Sequence, residues 1–382
     1  MILNKEQQAA VYTDDKNIFL IAGAGSGKTR VIVERIKYLI TKGVCSSDIL
    51  CITFTNKSAD EMRHRLKDFD VYVNTFHGYC YNVLSQHKTF KIFEHNNEFT
   101  DDEILKVARY KNSLKTNKKP KVYERYAHYL DSRELLDFDD LMLDAFEYMH
   151  AHTFKYIFVD EFQDTNLLQY KILSLMMHQT THLFAVGDPD QSIYAFRGAR
   201  VELIERYLKD YDATLLKLQM NYRSNMHILK ASNNLIDKNL NRYKKRLIGV
   251  KSDTNKPMIY IGHTSALYQQ IIYLIKSNKD FDAVILYRNH YQVTYLRQLL
   301  IRNYLFDVRL YSFHESKGLE FRAVYIVGLE SLPFDKTNMY KNKEEERRLL
   351  FVGMTRAMDK LYLFSTKKTA FLRQTKVKIE YL

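Results

Sequence analysis

The sequence predicts an α/β protein whose parallel sheets are covered by helices on both faces. Short, nearly continuous apolar runs rich in Val, Ile, Leu, Phe and Tyr recur along the chain, and longer amphipathic segments separate them. Such runs are typical of strands buried in parallel sheets. The chain has 382 residues, 46% of them hydrophobic, which suits roughly two or three domains with cores of their own. The predicted strands are FLIA (19–22), ILCITFT (49–55), YIFVDE (156–161), HLFAVGD (182–188), MIYIG (258–262), AVILYR (283–288), VYIVGLE (324–330) and KLYLFS (360–365).

Two breaks in the alternation predict the domain limits. Residues 81–133 are helical in pattern, poor in strands and rich in lysine, which indicates a helical insertion. The polar run 239–256 precedes a fresh strand and favours a boundary to a second α/β domain. We therefore expect a first domain formed by 1–80 and 134–248, an insertion at 81–133, and a second domain at 249–382.

Composition limits the classes of partner. The formal net charge is +13 and the isoelectric point is about 9.3, which favours an anionic partner such as nucleic acid, although solubility alone also explains a basic surface. Cys45, Cys51 and Cys80 have no metal-type spacing, so neither a disulfide framework nor a zinc site is predicted. No apolar run approaches the length of a membrane span, and the N-terminus is polar. A cytoplasmic protein without membrane contact is expected.

A small-residue loop follows the first predicted strand and precedes a helical pattern. Phosphate-binding loops of this kind need free backbone N–H groups, a lysine for the β- and γ-phosphates and a hydroxyl for Mg²⁺. Lys28 and Thr29 supply the last two. The usual pattern has glycine where Ala22 stands, but a small residue suffices there. A plain glycine-rich turn is the alternative. The predicted ATP loop comprises Ala22, Gly23, Ala24, Gly25, Ser26, Gly27, Lys28 and Thr29.

Two adjacent carboxylates end the strand YIFVDE. An aspartate at a strand tip, here Asp160, is where P-loop ATPases hold Mg²⁺. Glu161 beside it is placed to take a proton from the attacking water. An isolated Asp-Glu pair is also compatible with a helix N-cap. The phosphate-binding loop upstream favours the catalytic interpretation.

The segment LFAVGDPDQSIYAFRGA (183–199) is a strand followed by a polar turn. Gln191 in this turn is able to hydrogen-bond a γ-phosphate oxygen. Tyr194, Phe196 and Arg197 present ring and guanidinium planes that suit stacking on unpaired bases. A lone Tyr-x-Phe more often belongs to a core, so the prediction depends on the whole string.

Taken together, the segments resemble the motifs of the UvrD/Rep/PcrA group of superfamily 1 DNA helicases. The phosphate-binding loop of that family itself reads AGAGSGKT, so Ala22 agrees with the resemblance. Nine further segments of the chain match family motifs and occur in the family order. They are LNKEQQAAV (3–11), CITFTNKSADEMRHRL (51–66), VNTFHG (73–78), VDEFQDTN (159–166), GDPDQSIYAFRGA (187–199), LQMNYRS (218–224), ILYRN (285–289), HESKGLEF (314–321) and EEERRLLFVGMTRA (344–357).

The resemblance implies two RecA-like domains that use ATP and Mg²⁺. It assigns Gln7 to the adenine edge, Arg30 and Tyr222 to the faces of the base, and Glu320 to the ribose. Arg223 and Arg356 would reach the γ-phosphate, where charge builds up in the transition state.

The resemblance also implies a track for single-stranded DNA. Its residues are Phe54, Asn56, Phe76, His77, Tyr194, Phe196, Arg197 and His314. Phe196 replaces a tryptophan that is frequent in the family, so we expect a weaker grip but retained function. For His77 and His314 a satisfied buried histidine is an equally good interpretation.

One departure from the family pattern concerns a large subdomain, usually called 2B, that precedes the HESKGLEF segment in relatives. Residues 287–312 lead directly into that segment, so 2B is expected to be absent. The predicted function is 3′-to-5′ translocation or unwinding on single-stranded DNA and tailed duplex. Two alternatives stay open: a translocase that unwinds only with a partner, and a DNA-sensing ATPase that controls a nuclease or replication protein. Repair, plasmid or phage replication and anti-phage defence are all compatible with the sequence.

Overall fold

The structure, a computed structural model, describes residues 2–94, 97–151, 153–252, 255–332 and 341–382. The chain divides into two compact units. The first comprises Met1–Ala22 and Lys28–Leu218, and the second comprises Gly23–Gly27 and Gln219–Leu382.

The first unit is built on a six-stranded parallel sheet. In chain order the strands of the unit are β1 (Asn17–Ala22), β2 (Ile49–Thr53), β3 (Tyr72–Thr75), β4 (Lys91–Ile92), β5 (Leu135–Leu136), β6 (Tyr156–Val159), β7 (His182–Gly187) and β8 (Thr214–Leu218). The order in the sheet is β3-β2-β6-β7-β1-β8, and the two short strands β4 and β5 pair with each other outside it. The carboxyl ends of parallel strands share one edge of a sheet, which is where ligands bind in folds of this class.

Helices surround this sheet and bury its apolar residues. In chain order they are α1 (Lys5–Tyr12), α2 (Lys28–Thr41), α3 (Asn56–Arg65), α4 (Phe76–Leu84), α5 (Asp101–Asn112), α6 (Tyr123–Asp131), α7 (Phe138–Asp144), α8 (Leu167–Met176) and α9 (Glu202–Asp210). One side of the core joins strand residues such as Leu20 and Phe158 to helix residues such as Ile32 and Met62, all at most 3% exposed. Burial of such side chains stabilises the unit by about 1.5–3 kcal/mol each.

The insertion contains α5 and α6 and has a small core of its own, formed around Phe99 and Tyr126. It is joined to the rest of the first unit by a buried ion cluster. The Lys111 ammonium, 1% exposed, donates to Asp137 Oδ2 at 2.7 Å and to Asp140 Oδ2 at 2.6 Å. A buried lysine requires such partners, because an unpaired charge there would cost several kcal/mol. The cluster therefore fixes α5 against the start of α7.

The second unit repeats the architecture with another six-stranded parallel sheet. Its strands are β9 (Met220–Asn225), β10 (Ile248–Lys251), β11 (Met258–Ile261), β12 (Val284–Tyr287), β13 (Arg309–Ser312), β14 (Phe321–Ile326), β15 (Ala357–Ser365) and β16 (Lys378–Tyr381). The order in the sheet is β13-β12-β14-β15-β11-β16, and the separate pair β9 and β10 lies outside it. The helices are α10 (Met226–Ile236), α11 (Thr264–Asn278), α12 (Thr294–Arg302), α13 (Lys341–Met354) and α14 (Ala370–Thr375).

The predicted fold class is confirmed: both units are parallel sheets flanked by helices. Each predicted apolar run contains or overlaps an observed strand. The predicted domain limits placed residues 219–248 in the first domain, whereas the compact units place them in the second. The reason is local, since β9 pairs with β10, and α10 packs against α13 and α14 of the second unit.

Two further sequence features have a clear structural position. Of the three cysteines, Cys45 is exposed, whereas Cys51 and Cys80 are buried in the first unit, and none forms a disulfide. Among the described residues, we find no helix with the length and apolarity that crossing a bilayer requires.

Candidate nucleotide-binding and nucleic-acid-binding site

The small-residue loop occupies residues 23–27, between the end of β1 and the start of α2. Gly25 and Gly27 have φ angles of 64° and 86°, in the left-handed region that favours glycine. The Ser26 hydroxyl donates to the Gly23 carbonyl at 2.8 Å and closes the turn. The loop thus brings backbone N–H groups and a helix N-terminus to one place, which is the arrangement that binds phosphate.

This loop packs directly on residues 221–223. The Asn221 side chain donates to the Ala24 carbonyl, and the Tyr222 N–H donates to the Gly25 carbonyl at 2.9 Å. A Cβ added at Gly25 would lie 2.6 Å from the Cβ of Arg223. Glycine is required there both by φ and by this close approach, which brings the Arg223 backbone next to the phosphate-binding loop.

Lys28, the first residue of α2, pairs with Glu161 at the carboxyl end of β6. Its ammonium lies 2.7 Å from Glu161 Oε1. Burial alone would lower the pKa of Lys28, but the Glu161 and Asp160 carboxylates outweigh burial and raise it. Lys28 is therefore a fixed cation at the end of the loop.

Asp160 is the buried member of this group, at 8% exposed. Burial, and then the neighbouring Glu161 charge, raise its pKa to about 7, while Lys28 acts in the opposite direction. Its Oδ1 accepts the Glu161 N–H at 2.9 Å. A carboxylate whose charge is disfavoured in this way would be stabilised by a bound cation.

The donor set fits Mg²⁺ held together with a nucleotide. Among the residues that the structure describes, no group of three or more His, Cys, Asp or Glu could hold a metal by itself. Mg²⁺ usually binds one or two protein oxygens and completes its shell with water and substrate phosphates. Asp160 and the hydroxyl of Thr29, in the first turn of α2, are oxygen donors of this kind.

Glu161 has an unusual backbone, with φ 52° and ψ 40°. A non-glycine residue in the left-handed region costs about 1–3 kcal/mol and persists where the surroundings enforce it. Here the surroundings include Lys28 and Gln163, whose Nε2 donates to Glu161 Oε2 at 2.6 Å. Each carboxylate oxygen of Glu161 therefore accepts a hydrogen bond from a defined partner.

Four predicted DNA-binding residues lie together, in segments that follow β2 and β7 of the first unit's sheet. The rings of Phe54 and Tyr194 are stacked, with centroids 5.3 Å apart and planes at 23°. Phe196 lies 6.0 Å from Tyr194, and the Arg197 guanidinium lies 5.8 Å from the Tyr194 ring centroid and 5.7 Å from that of Phe196. Stacked rings beside a guanidinium are suited to contact with unpaired bases.

The other predicted DNA residues differ in accessibility. Asn56 is exposed, His314 is half-buried, and Phe76 is 4% exposed, so its ring has little surface to offer a base. The half-buried His77 contacts the edge of the Phe138 ring, with centroids 5.5 Å apart. Burial lowers the pKa of His77 to about 4 although Asp137 opposes the shift, so His77 is neutral near pH 7.

Phe138 is a candidate that sequence reasoning missed. Its side chain is 55% exposed at the start of α7, next to His77. The available signal was an aromatic residue between Asp137 and Asp139, where a helix N-terminus needs only polar residues. Gln163 was also missed, because nothing local distinguishes it from other polar residues after a strand.

The predicted adenine residues on the first unit lie near the start of two helices. Gln7 is 2% exposed, and its Oε1 accepts the Asn4 N–H at 3.1 Å in a capping box at α1. Arg30, in the first turn of α2, is half-buried. Their contacts with a base stay predictions.

On the second unit, Tyr222 is 36% exposed, and Arg223 donates to Glu320 Oε2 at 2.6 Å. Arg356 is only 2% exposed. Its guanidinium donates to the carbonyls of Val352 and Leu319, each at 3.1 Å. Arg223 is thus half-buried with a carboxylate partner, whereas the buried Arg356 also holds the backbone of the second unit.

A phosphate-type loop between a parallel strand and a helix, with its lysine facing the carboxylates at the tip of another strand, defines a P-loop nucleotide-binding protein. Family models agree with this class. The model for the UvrD/REP helicase N-terminal domain matches residues 3–119 and 91–212, and that for the UvrD-like helicase C-terminal domain matches 216–306 and 300–368. The chain belongs to the UvrD/Rep family of DNA helicases.

Individual relatives show the same affiliation. The chain is 31% identical to a probable DNA helicase of Mycoplasma pneumoniae, over 97% of this chain and 84% of the relative. It is 33% identical to DNA helicase II of Escherichia coli, over 78% of this chain, and 32% identical to ATP-dependent DNA helicase PcrA of Staphylococcus epidermidis, over 79%. The alignments cover 50% of each of the last two relatives, so the chain spans about half of their length.

Proposed function

We propose that this chain is an ATP-dependent DNA helicase or translocase that moves 3′ to 5′ on single-stranded DNA. The observation that carries the proposal is the position of the Lys28 ammonium, 2.7 Å from Glu161 and beside Asp160, at the end of a phosphate-type loop. The group combines a cation for phosphate, a ligand for a metal and a base for water. Membership in the UvrD/Rep family supports DNA as the nucleic acid on which the chain acts.

In the proposed reaction, the N–H groups of the loop and Lys28 bind the triphosphate. Asp160 and Thr29 would hold Mg²⁺, which offsets charge on the phosphate oxygens when it is bound. Glu161 orients a water molecule and accepts its proton. Gln191 contacts the γ-phosphate, and Arg223 and Arg356 offset the charge that develops on it.

DNA binds in this proposal by ring stacking. The cluster of Phe54, Tyr194, Phe196 and Arg197 provides the platform on the first unit, and the exposed ring of Phe138 beside His77 offers a further surface for a base. A stacked base contributes about 1–3 kcal/mol and reads no sequence. Such a track permits movement along any single strand.

The direct connection of residues 287–312 to the segment 314–321 favours a second candidate. Without the 2B subdomain that the family resemblance places before this segment, we expect a part used in unwinding to be lacking at this position. The chain would then translocate, or sense DNA, and depend on a nuclease or replication protein for its output. ATP hydrolysis is common to both candidates.

The two candidates are separated by three measurements on the same chain. ATP hydrolysis with and without single-stranded DNA, translocation along a single strand, and unwinding of tailed duplex are measured for wild type and Lys28→Ala. We expect hydrolysis stimulated by DNA and 3′-to-5′ translocation in wild type. Lys28→Ala should lose both, because the loop loses its cation against the phosphates.

Each result points to a different conclusion. Normal hydrolysis in Lys28→Ala would remove the P-loop assignment. Stimulated hydrolysis without translocation would favour the DNA-sensing ATPase. Translocation in the 5′-to-3′ direction would contradict the proposed polarity.

A further inference from the structure

Gln163 is a fully buried side chain between the two halves of the proposed site on the first unit. It is 0% exposed. Its Nε2 donates to Glu161 Oε2 at 2.6 Å and to Asp164 Oδ2 at 3.0 Å, and its Oε1 accepts the Asp188 N–H at 2.8 Å. One amide thus connects the proposed base with the loop that follows β7.

The orientation of this amide is fixed by the chemistry of its partners. Carboxylates such as Glu161 only accept hydrogen bonds, so they face the NH₂ group, whereas the Asp188 N–H only donates, so it faces the oxygen. A carboxylate or a shorter amide at position 163 could not satisfy all three partners at once. The site therefore demands both the length and the two-sided chemistry of glutamine.

The loop after β7 is held to Gln163 by its backbone as well. The Ser192 hydroxyl donates to the Gln163 carbonyl at 3.0 Å. A Cβ at Gly187 would lie 2.7 Å from Gln163 Oε1 and 3.1 Å from the Gln163 backbone nitrogen, so a larger residue there would force Gln163 to shift. Asp188 in turn accepts from the side chain of Gln191, the proposed γ-phosphate contact. Two residues beyond Ser192 the same loop reaches the stacked ring of Tyr194.

We propose that Gln163 is a positioning residue that couples DNA binding to ATP hydrolysis. Through one amide it holds the Glu161 carboxylate and the loop 188–192 as a single hydrogen-bonded unit. A base stacked on Tyr194 and Phe196 shifts or steadies that loop, and Gln163 transmits the change to the orientation of Glu161. The inference rests on the proposed function and assigns a further residue to it.

The test compares DNA stimulation of ATP hydrolysis in wild type, Gln163→Met and Gln163→Asn. Methionine fills a similar volume without hydrogen bonds, and asparagine keeps the amide but is one methylene too short. We expect the DNA-stimulated kcat to fall by about 10- to 100-fold, as when outer partners that orient a reactive group are removed. The KM for ATP should change by less than about threefold, because Gln163 supplies no phosphate contact in this proposal and uniform binding is retained.

A matched control is Gln169→Met. Gln169 is also buried, at 4% exposed, but its Oε1 accepts the Asn166 N–H at 3.1 Å in the capping box of α8. Its loss should lower thermal stability and leave the stimulation factor unchanged. If Gln163→Met and Gln169→Met are equally destabilised but only Gln163→Met loses DNA stimulation, then Gln163 has a positioning role beyond its contribution to folding.

A double-variant cycle tests the coupling itself. If the signal from the rings passes through Gln163, the variant Gln163→Met with Phe196→Ala should be stimulated no less than Gln163→Met alone, so the two effects are not additive. Additive effects, or normal stimulation in both Gln163 variants, would overturn the inference and leave the proposed function intact. A wild-type chain that hydrolyses ATP regardless of DNA would instead overturn the proposed function, and the inference with it.

Discussion

At the scale of single residues, two groups compete for the ammonium of Lys28. In the structure it pairs with Glu161, and in the proposed reaction it binds phosphate. A triphosphate that enters the site therefore competes with Glu161 for the Lys28 ammonium. When the phosphates bind Lys28 in this proposal, the Glu161 carboxylate becomes free to act on water. In the proposed reaction, the contact between Lys28 and Glu161 would also keep Glu161 from accepting a proton until the phosphates bind Lys28.

The variant Glu161→Gln separates binding from chemistry. Glutamine keeps the shape of the side chain but cannot accept a proton, so kcat should fall by about 10²- to 10⁴-fold. Affinity for Mg²⁺-ATP should be retained or tightened, because Lys28 no longer has a competing carboxylate. Single-turnover hydrolysis and equilibrium binding of a fluorescent ATP analogue measure the two effects. Collapsed affinity with a nearly normal rate would make Glu161 a structural residue.

Arg223 and Arg356 differ in burial, and their variants should differ accordingly. Both alanine variants should lose hydrolysis by roughly 10³- to 10⁵-fold, the range for arginines that offset phosphate charge, with DNA affinity nearly intact. Arg356→Ala should also lower the free energy of unfolding by about 2 kcal/mol or more, since the buried Val352 carbonyl and the partly buried Leu319 carbonyl lose the guanidinium donor. Arg223→Ala should cost about 1 kcal/mol or less, because its partner Glu320 is 54% exposed at the side chain.

Hydrolysis, DNA binding and urea unfolding, measured on both variants, make this comparison. Parallel losses of DNA affinity and hydrolysis would place the arginines on the DNA track. Unchanged stability of Arg356→Ala would contradict the role given to its hydrogen bonds.

At the level of residues, the sequence could predict which side chains lie together where a short string carries its own chemistry. The loop at 23–27 and the pair Asp160 and Glu161 could be recognised from sequence, and the structure brings Lys28 and that pair together. Gln163 could not be recognised, since its partner Asp188 is 25 residues away and the link exists only in the fold. The roles of Arg223 and Arg356 were predicted from the family resemblance alone. The burial of Arg356 could not be predicted from the sequence.

At the scale of elements, the turn after β7 carries both the proposed phosphate contact, Gln191, and part of the proposed ring platform, Tyr194 and Phe196. Phe196→Ala should weaken single-strand binding by about 1–3 kcal/mol, the contribution of one stacked base, with hydrolysis in the absence of DNA unchanged. Fluorescence anisotropy with a labelled oligonucleotide measures the affinity. An unaltered affinity would assign Phe196 to packing against Tyr194 and Arg197 alone.

The strands show which elements a sequence pattern can find. The central strands of both sheets are buried on both faces and read as continuous apolar runs, as predicted. The four edge strands, β3, β8, β13 and β16, were not predicted. Their sequences YVNT, TLLKL, RLYS and KIEY mix polar and apolar residues because one side faces solvent. Such strands form because a neighbouring strand offers its backbone, which no local pattern records.

At the scale of the whole molecule, the question is how much duplex the chain contacts. If the 2B subdomain is missing, affinity for a tailed duplex should nearly equal affinity for the single-stranded tail alone. The salt dependence should match too, since log K falls by about 0.7 per neutralised phosphate on single strands, and each duplex contact would add about 0.9 to the slope. Titrations at several salt concentrations check both statements.

The same comparison bears on unwinding. With few duplex contacts, we expect stimulated hydrolysis and translocation but weak unwinding unless a partner separates the strands. A helicase assay on duplexes with a 3′ or a 5′ tail decides the matter. Strong unassisted unwinding from the 3′ tail would show that the chain has a strand-separating element of its own.

The three cysteines differ in exposure, which allows the chain to carry a single fluorescent label at a known position. Cys45 is exposed on the first unit, and a hydrogen bond with the Ser47 hydroxyl lowers the pKa of its thiol, whereas Cys51 and Cys80 are buried. A maleimide dye acts on the thiolate of an accessible cysteine, so it should attach at one position without any engineered substitution. A molecule carrying a single dye of known location can be followed individually along an oligonucleotide whose end bears a second, quenching dye.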